Sequence, residues 1–228
     1  MTVLALLLLL QSSPAEDARG LFEAGQTLIA EGDTLGAVAA WEGALATGWT
    51  SAAAEHNLGT VALARRDLGA ARLHLERAAR LAPWDAAVAR NLALARERAG
   101  DPGPGPMARA FGWLGAVLSP LGAVALALTL VFAALAAFIA GRRAVAVGVG
   151  AMAVLAVVVA GGVLVGATAP RGVVLADVAA VEEAGGTEPV ARLNTGETVW
   201  VGEERDGWRA VRIGRKRAFV PAEAVAPI

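Results

Sequence analysis

The chain has no cysteine, no tyrosine and only two histidines, and Asp, Glu, Lys and Arg make up just 18% of its 228 residues. Without cysteine there is no disulfide framework, thiolate metal site, catalytic thiol or lipidated cysteine. The histidines, His56 and His74, are not spaced with any carboxylate motif as metal ligands would be. No Gly-x-Ser-x-Gly elbow and no glycine-rich phosphate loop opens a helix. The carboxylate pairs Glu182-Glu183 and Glu203-Glu204 fall at strand ends or turns and read as solubilising. These absences argue against an enzyme and against a bound cofactor or metal. The net charge of -1, from 20 basic and 21 acidic side chains, supplies no field to draw nucleic acid.

Apolar residues are what the chain has in excess: 56% of the total, with a mean hydropathy of +0.55, against about 45–50% in an ordinary soluble domain. The excess is localised. Val3 to Leu10 is unbroken and is followed by Ser13-Pro14-Ala15 and the acidic pair Glu16-Asp17. A short apolar run ahead of small residues reads as a secretory signal peptide over 1–15, cleaved after Ala15. Its n-region lacks Lys and Arg, and the alternative is a buried first helix of a cytosolic domain.

From Trp113 to Ala140 the only non-apolar residues are Ser119 and Thr129, and from Ala144 to Ala169 only Thr168. Each run exceeds the roughly 20 residues of a spanning helix, so transmembrane helices are expected over 113–140 and 144–169. The turn between them, 141–143, carries Arg142-Arg143, which the positive-inside rule assigns to the cytoplasm. Both soluble flanks then face the periplasm. Small residues recur at Ala125, Thr129, Ala133, Ala137 and Gly141, and the second run holds Gly162-x-x-x-Gly166, stripes suited to close helix packing. Neither run carries an ionisable residue of the sort that ion paths and proton relays need. The pair reads as an anchor.

Residues 16–100 contain an internal repeat. Leu21, Ala24, Gly25, Leu28, Ala37, Trp41 and Ala44 align with Glu55, Leu58, Gly59, Ala62, Ala71, Leu75 and Ala78 at a constant offset of 34 residues. The pattern resembles the tetratricopeptide (TPR) repeat: Gly25 and Gly59 admit a close neighbouring helix, Ala37 and Ala71 are its small partners, and Trp41 or Leu75 fills the gap. Gly32-Asp33 and Asp67-Leu68-Gly69 supply turns. Asp85 to Arg98 repeats the first helix once more and caps the stack before Gly100.

In that family the binding groove is lined by positions that correspond here to Arg19, Phe22, Gln26 and Ile29, then Ala53, His56, Thr60 and Leu63, then Arg90 and Leu94. Such a mixed lining suits an extended peptide or partner helix. The carboxylate clamp of some members is not matched, since Phe22, Gln26, Ala87 and Asn91 stand at most of its positions. Residues 16–50 hold six acids and one base, and 51–109 six acids and nine bases. That asymmetry either biases docking or is a solvated surface. A Pro/Gly-rich linker over 101–112 follows.

After Pro170 five short strands are expected: Val173 to Val181, Pro189 to Leu193, Thr198 to Glu203, Trp208 to Ile213 and Ala218 to Pro221, separated by glycine-bearing turns. Leu193-x-x-Gly196-Glu197-x-Val199-x-Val201, Gly207-Trp208-x-x-Val211 and Phe219-Val220-Pro221 resemble the bacterial SH3-like domain over 171–228. Trp208 and Phe219 are expected in its core. Its surface candidates are Trp200 with Arg209, Arg212, Arg215, Lys216 and Arg217, the densest basic cluster in the chain. It meets anionic headgroups or wall polymers, or is an exposed hairpin without a ligand.

The order of these parts resembles the BatE-like proteins of bacterial aerotolerance operons. The resemblance implies a multidomain membrane protein with an all-α TPR solenoid, a two-helix transmembrane hairpin and a small all-β SH3-like barrel. It further implies an inner-membrane, periplasm-facing scaffold for protein–protein interactions, whose partners are von Willebrand A domain membrane proteins and a MoxR-type ATPase. The rival expectation is an envelope sensor or tether whose SH3-like domain binds peptidoglycan.

Overall fold

The computed structural model describes residues 14–101, 120–168 and 170–228. Residues 1–13 of the expected signal peptide (1–15), most of the linker and the start of the first apolar run therefore lie outside the described residues, while Pro14 and Ala15 belong to the first helix. The described residues form two compact units: 14–101 group with 171–228, and the described residues of 120–170 form the second.

The first unit begins with five helices: α1 (Pro14–Ala30), α2 (Thr34–Ala46), α3 (Ala52–Ala64), α4 (Leu68–Leu81) and α5 (Ala86–Arg98). Side-chain oxygens cap four of them: Asp33 accepts from Gly36 N, Ser51 from Ala54 N, Asp67 from Ala70 N, and Asp85 from Ala87 N and Val88 N. The chain turns out of α1, α3 and α5 at Gly32, Arg66 and Gly100, all in the left-handed region. These three turn positions share the 34-residue period. The close approach expected at the repeat glycines is present. A Cβ on Gly25 would lie 2.4 Å from Trp41 Nε1, and one on Gly59 would lie 2.6 Å from Leu75 Cγ. Ala37, Ala71, Trp41 and Leu75 are buried between the helices, with Phe22, Leu28 and Leu45 packed beside Trp41 and Leu58.

The sheet is antiparallel throughout and has seven strands: β1 (Arg171–Val174), β2 (Val178–Val181), β3 (Pro189–Leu193), β4 (Thr198–Arg205), β5 (Trp208–Ile213), β6 (Lys216–Pro221) and β7 (Val225–Pro227), in the order β3-β2-β6-β5-β4-β1-β7. Alternation drives it: Val199, Val211, Ala218 and Val220 point inward to a core shared with Val174, Ala180, Leu193 and Val225. Trp208 and Phe219 are not part of this core. They are half-buried on the opposite face.

Helices and sheet meet within this unit. A Cβ on Gly69 of α4 would lie 2.5 Å from Leu175 O, and one on Gly196 would lie 2.9 Å from Ala99 Cβ. Arg72 of α4, 2% exposed, donates to Gly196 O at 2.8 Å, pairs with Asp101 at 2.5 Å and reaches Glu76 at 3.4 Å. Arg77 donates to Pro227 O at 3.2 Å.

The second unit contains α6 (Pro120–Ile139) and α7 (Arg143–Thr168), joined by a turn at Gly141, whose φ is +74°. Their apolar side chains are mostly exposed, Phe132, Phe138, Val147 and Leu155 among them. The small residues buried here are Ala127, Ala153 and Ala160, while Ala125 and Ala133 of the expected stripe are exposed. Gly162 and Gly166 have no described side-chain environment.

These observations correct the fold class expected from the sequence. Among the described residues there are seven helices and a single seven-stranded sheet, rather than an independent solenoid and a five-stranded barrel. Among the described residues one helix, over Arg143–Gly161 with mean hydropathy 2.5, is long and apolar enough to cross a membrane. The other apolar helix contributes the stretch Val124–Ile139 to the described residues. Among the described residues, the expected two-helix hairpin is thus represented by one candidate span and a shorter apolar stretch.

Candidate functional site

The residues expected to line a groove fall on α1, α3 and α5. Because a helix repeats its face every three to four residues, Gln26, His56, Thr60 and Asn91 come to one surface. Asn57 Nδ2 donates to Gln26 Oε1 at 2.9 Å, joining α3 to α1. Asn91 Nδ2 lies 3.0 Å from His56 Nε2 and donates to Thr60 Oγ1 at 3.0 Å, joining α5 to α3. The result is a ladder of amide, imidazole and hydroxyl groups running across three helices. Arg19, Ile29, Arg90 and Leu94 are exposed on the same helices. Ala53 is exposed at the start of α3.

Two expected members do not join the surface freely. Leu63 is buried and packs with Leu75, Leu92 and Ala95, so it belongs to the core: its position on α3 faces α4 and α5. Phe22 is half-buried, packs in the Trp41–Leu58 cluster and meets Trp49 edge-on at 5.7 Å. Asn57 and Asn91 carry the ladder, yet in sequence their amides are indistinguishable from ordinary helix-surface residues. Asp85, below the ladder, is held below the usual carboxylate range by the backbone N–H groups of Val88 and Ala87. On the far side of α3, His74 Nδ1 contacts the buried Glu55 at 2.7 Å, with Arg77 nearby. Among the described residues no three His, Asp or Glu side chains gather as a metal would need.

The sheet offers a second surface. Trp200, 39% exposed, lies under the Arg212 guanidinium at 4.7 Å, and Arg217 lies over Phe219 at 5.2 Å. Arg215 and Lys216 are exposed at the β5–β6 turn. Arg209 is a correction to the expected cluster. It is half-buried, pairs with Glu204 and donates to Val225 O at 3.1 Å, and its Nε is buried with no hydrogen-bond partner. Strand alternation turns it away from Arg212 and toward the 3-10 turn that follows β6, so it acts as an internal brace.

Beside the helix–sheet contact lies a cavity of about 430 Å³ lined by Arg66, Asp67, Arg98, Asp177, Asn194 and Thr195. Asp177 accepts from Thr195 N at 2.7 Å and from its hydroxyl at 2.8 Å. These two donors hold the Asp177 carboxyl below its ordinary range. With two charged side chains of each sign in its lining, the cavity favours no single charge of ligand. No protein-family profile and no curated protein matches this chain.

Proposed function

We propose that the chain is a membrane-anchored scaffold that holds a partner protein against the α1–α3–α5 surface. The observation that carries this reading is the ladder Gln26–Asn57 and His56/Thr60–Asn91. It places donors and acceptors, with exposed Ile29 and Leu94 beside them, where an extended peptide or helix needs both polar and apolar contacts. α7 is the anchor. Arg142-Arg143 marks its cytoplasmic end, which assigns its other end, and the sheet from Arg171 onward, to the periplasm of a bacterial inner membrane. Because residues 14–101 share a folded unit with the sheet, they lie on that side too, and α6 then returns the chain through the same bilayer. The domain order supports von Willebrand A domain membrane proteins and a MoxR-type ATPase complex as the partners, in an aerotolerance or envelope-stress role.

The test is co-purification from membranes with His56→Ala/Asn91→Ala, two positions at the surface rather than in the core. Loss of a bound partner with the chain still membrane-bound is expected. Retention of every partner by the variant would refute the reading.

A further inference from the structure

We propose that the outer face of the sheet is a docking surface for anionic phospholipid headgroups, built on the cross-strand row Arg171, Trp200, Arg212 and Arg217. The register creates the row: Arg171 pairs with Trp200, Trp200 with Arg212, and Arg212 with Arg217. Residues directly opposite one another share a face, so three guanidinium groups and an indole line up across β1, β4, β5 and β6. At a strand spacing near 4.8 Å the row is about 14 Å long. Its indole is exposed and stacked with Arg212. Exposed Arg215 and Lys216 add charge at the adjoining turn.

The row also reaches the helices. Arg80 of α4 stands near enough to Arg171 for the two charges to oppose each other: burial, and then Arg171, hold its guanidinium below the ordinary value, with Glu76 acting in the other direction.

Chain length selects a lipid as the anion. This step rests on the reading of α7 as an anchor. Arg171 follows the last residue of α7 by three positions, a stretch of at most about 11 Å. A bilayer holding α7 therefore brings its headgroups within reach of the row's first residue. Tryptophan and arginine are the side chains that settle at such an interface, and each basic group near an anionic surface adds to the attraction.

The full chain is reconstituted in vesicles of neutral phosphatidylcholine, or of phosphatidylcholine with about one quarter phosphatidylglycerol. Since the native chain has no cysteine, Arg215→Cys takes a single dye, and a headgroup-borne quencher reports its approach. Quenching at least about threefold stronger in the anionic vesicles is expected, collapsing at high salt and in Arg212→Glu/Arg217→Glu. Arg212→Gln/Arg217→Gln, which keeps the side chains' bulk, is expected to lose most of it as well. Equal quenching in the two kinds of vesicle overturns the proposal. So does binding of the full chain to purified sacculi that depends on Arg212 and Arg217 when the vesicles show no difference. Flotation separates the two readings: a chain that floats with both vesicles but quenches equally leaves the anchor standing, and one that floats with neither removes both.

Discussion

At Arg72 a guanidinium that is 2% exposed divides its donors among Gly196 O, Asp101 and Glu76. Removing one partner of a buried ionic network strands the others. Arg72→Met is therefore expected to lower the stability of the full chain by about 3 kcal/mol, measured by urea unfolding in detergent, with helical and sheet signals separating. Nothing in the sequence marks this role, because Arg72 and Glu76 have the spacing of an ordinary solvated pair. Its acceptor lies 124 positions away. Arg66 is a residue-scale exception of another kind: it holds a φ of +63° where Gly32 and Gly100 hold the same turn. Arg66→Gly is expected to stabilise by about 0.5–1 kcal/mol.

Asp177 gives a pH prediction with a definite sign. Its folded pKa is depressed by the Thr195 N–H and hydroxyl, so the stability it contributes is present above the ordinary carboxylate value near 4. That contribution is lost as pH falls through the lower folded value. Urea unfolding of wild type and Asp177→Asn across pH 2–7 is expected to show a gap that closes on the acid side.

At the scale of elements, the helical pairs were legible because a 34-residue period in small residues has one mechanical cause, close helix approach at Gly25 and Gly59. Adding a methyl at either position drives it into Trp41 or Leu75. Gly25→Ala and Gly59→Ala are each expected to cost about 1–3 kcal/mol, measured by thermal unfolding. The sheet was less legible. Val173 to Val181 reads as one strand by its apolar content, but β1 pairs with β4 and β7 while β2 pairs with β3 and β6. The chain bends at Ala176 to change neighbours. β7 is three residues of valine, alanine and proline, and only its pairing with β1 reveals it. Trp208 and Phe219 were misplaced for a related reason: pattern sets the alternation, but not which face of a twisted sheet is inside.

At the scale of the molecule, sequence order suggests soluble modules strung on either side of an anchor, and the structure folds the two ends into one unit instead. Hydropathy could not have shown this, since the contacts that join them include two close-approach glycines and two arginines that donate to backbone oxygens. If α7 anchors the chain as proposed, residues 14–101 and 171–228 share a side of the membrane. Labelling of single cysteines at Leu35 and Arg215 by a membrane-impermeant reagent in intact spheroplasts is expected to modify both or neither, and modification of one alone would break the shared unit.

The central claim is that α1, α3 and α5 present a binding surface, and in-cell photo-cross-linking tests it most directly. A photoreactive residue at Ile29, beside the ladder, is compared with one at Leu35, which is 72% exposed on α2. The account predicts a discrete adduct from Ile29 that vanishes in the His56→Ala/Asn91→Ala background and is missing from Leu35. Adducts that are equal at the two positions, or unchanged by the double substitution, would contradict it.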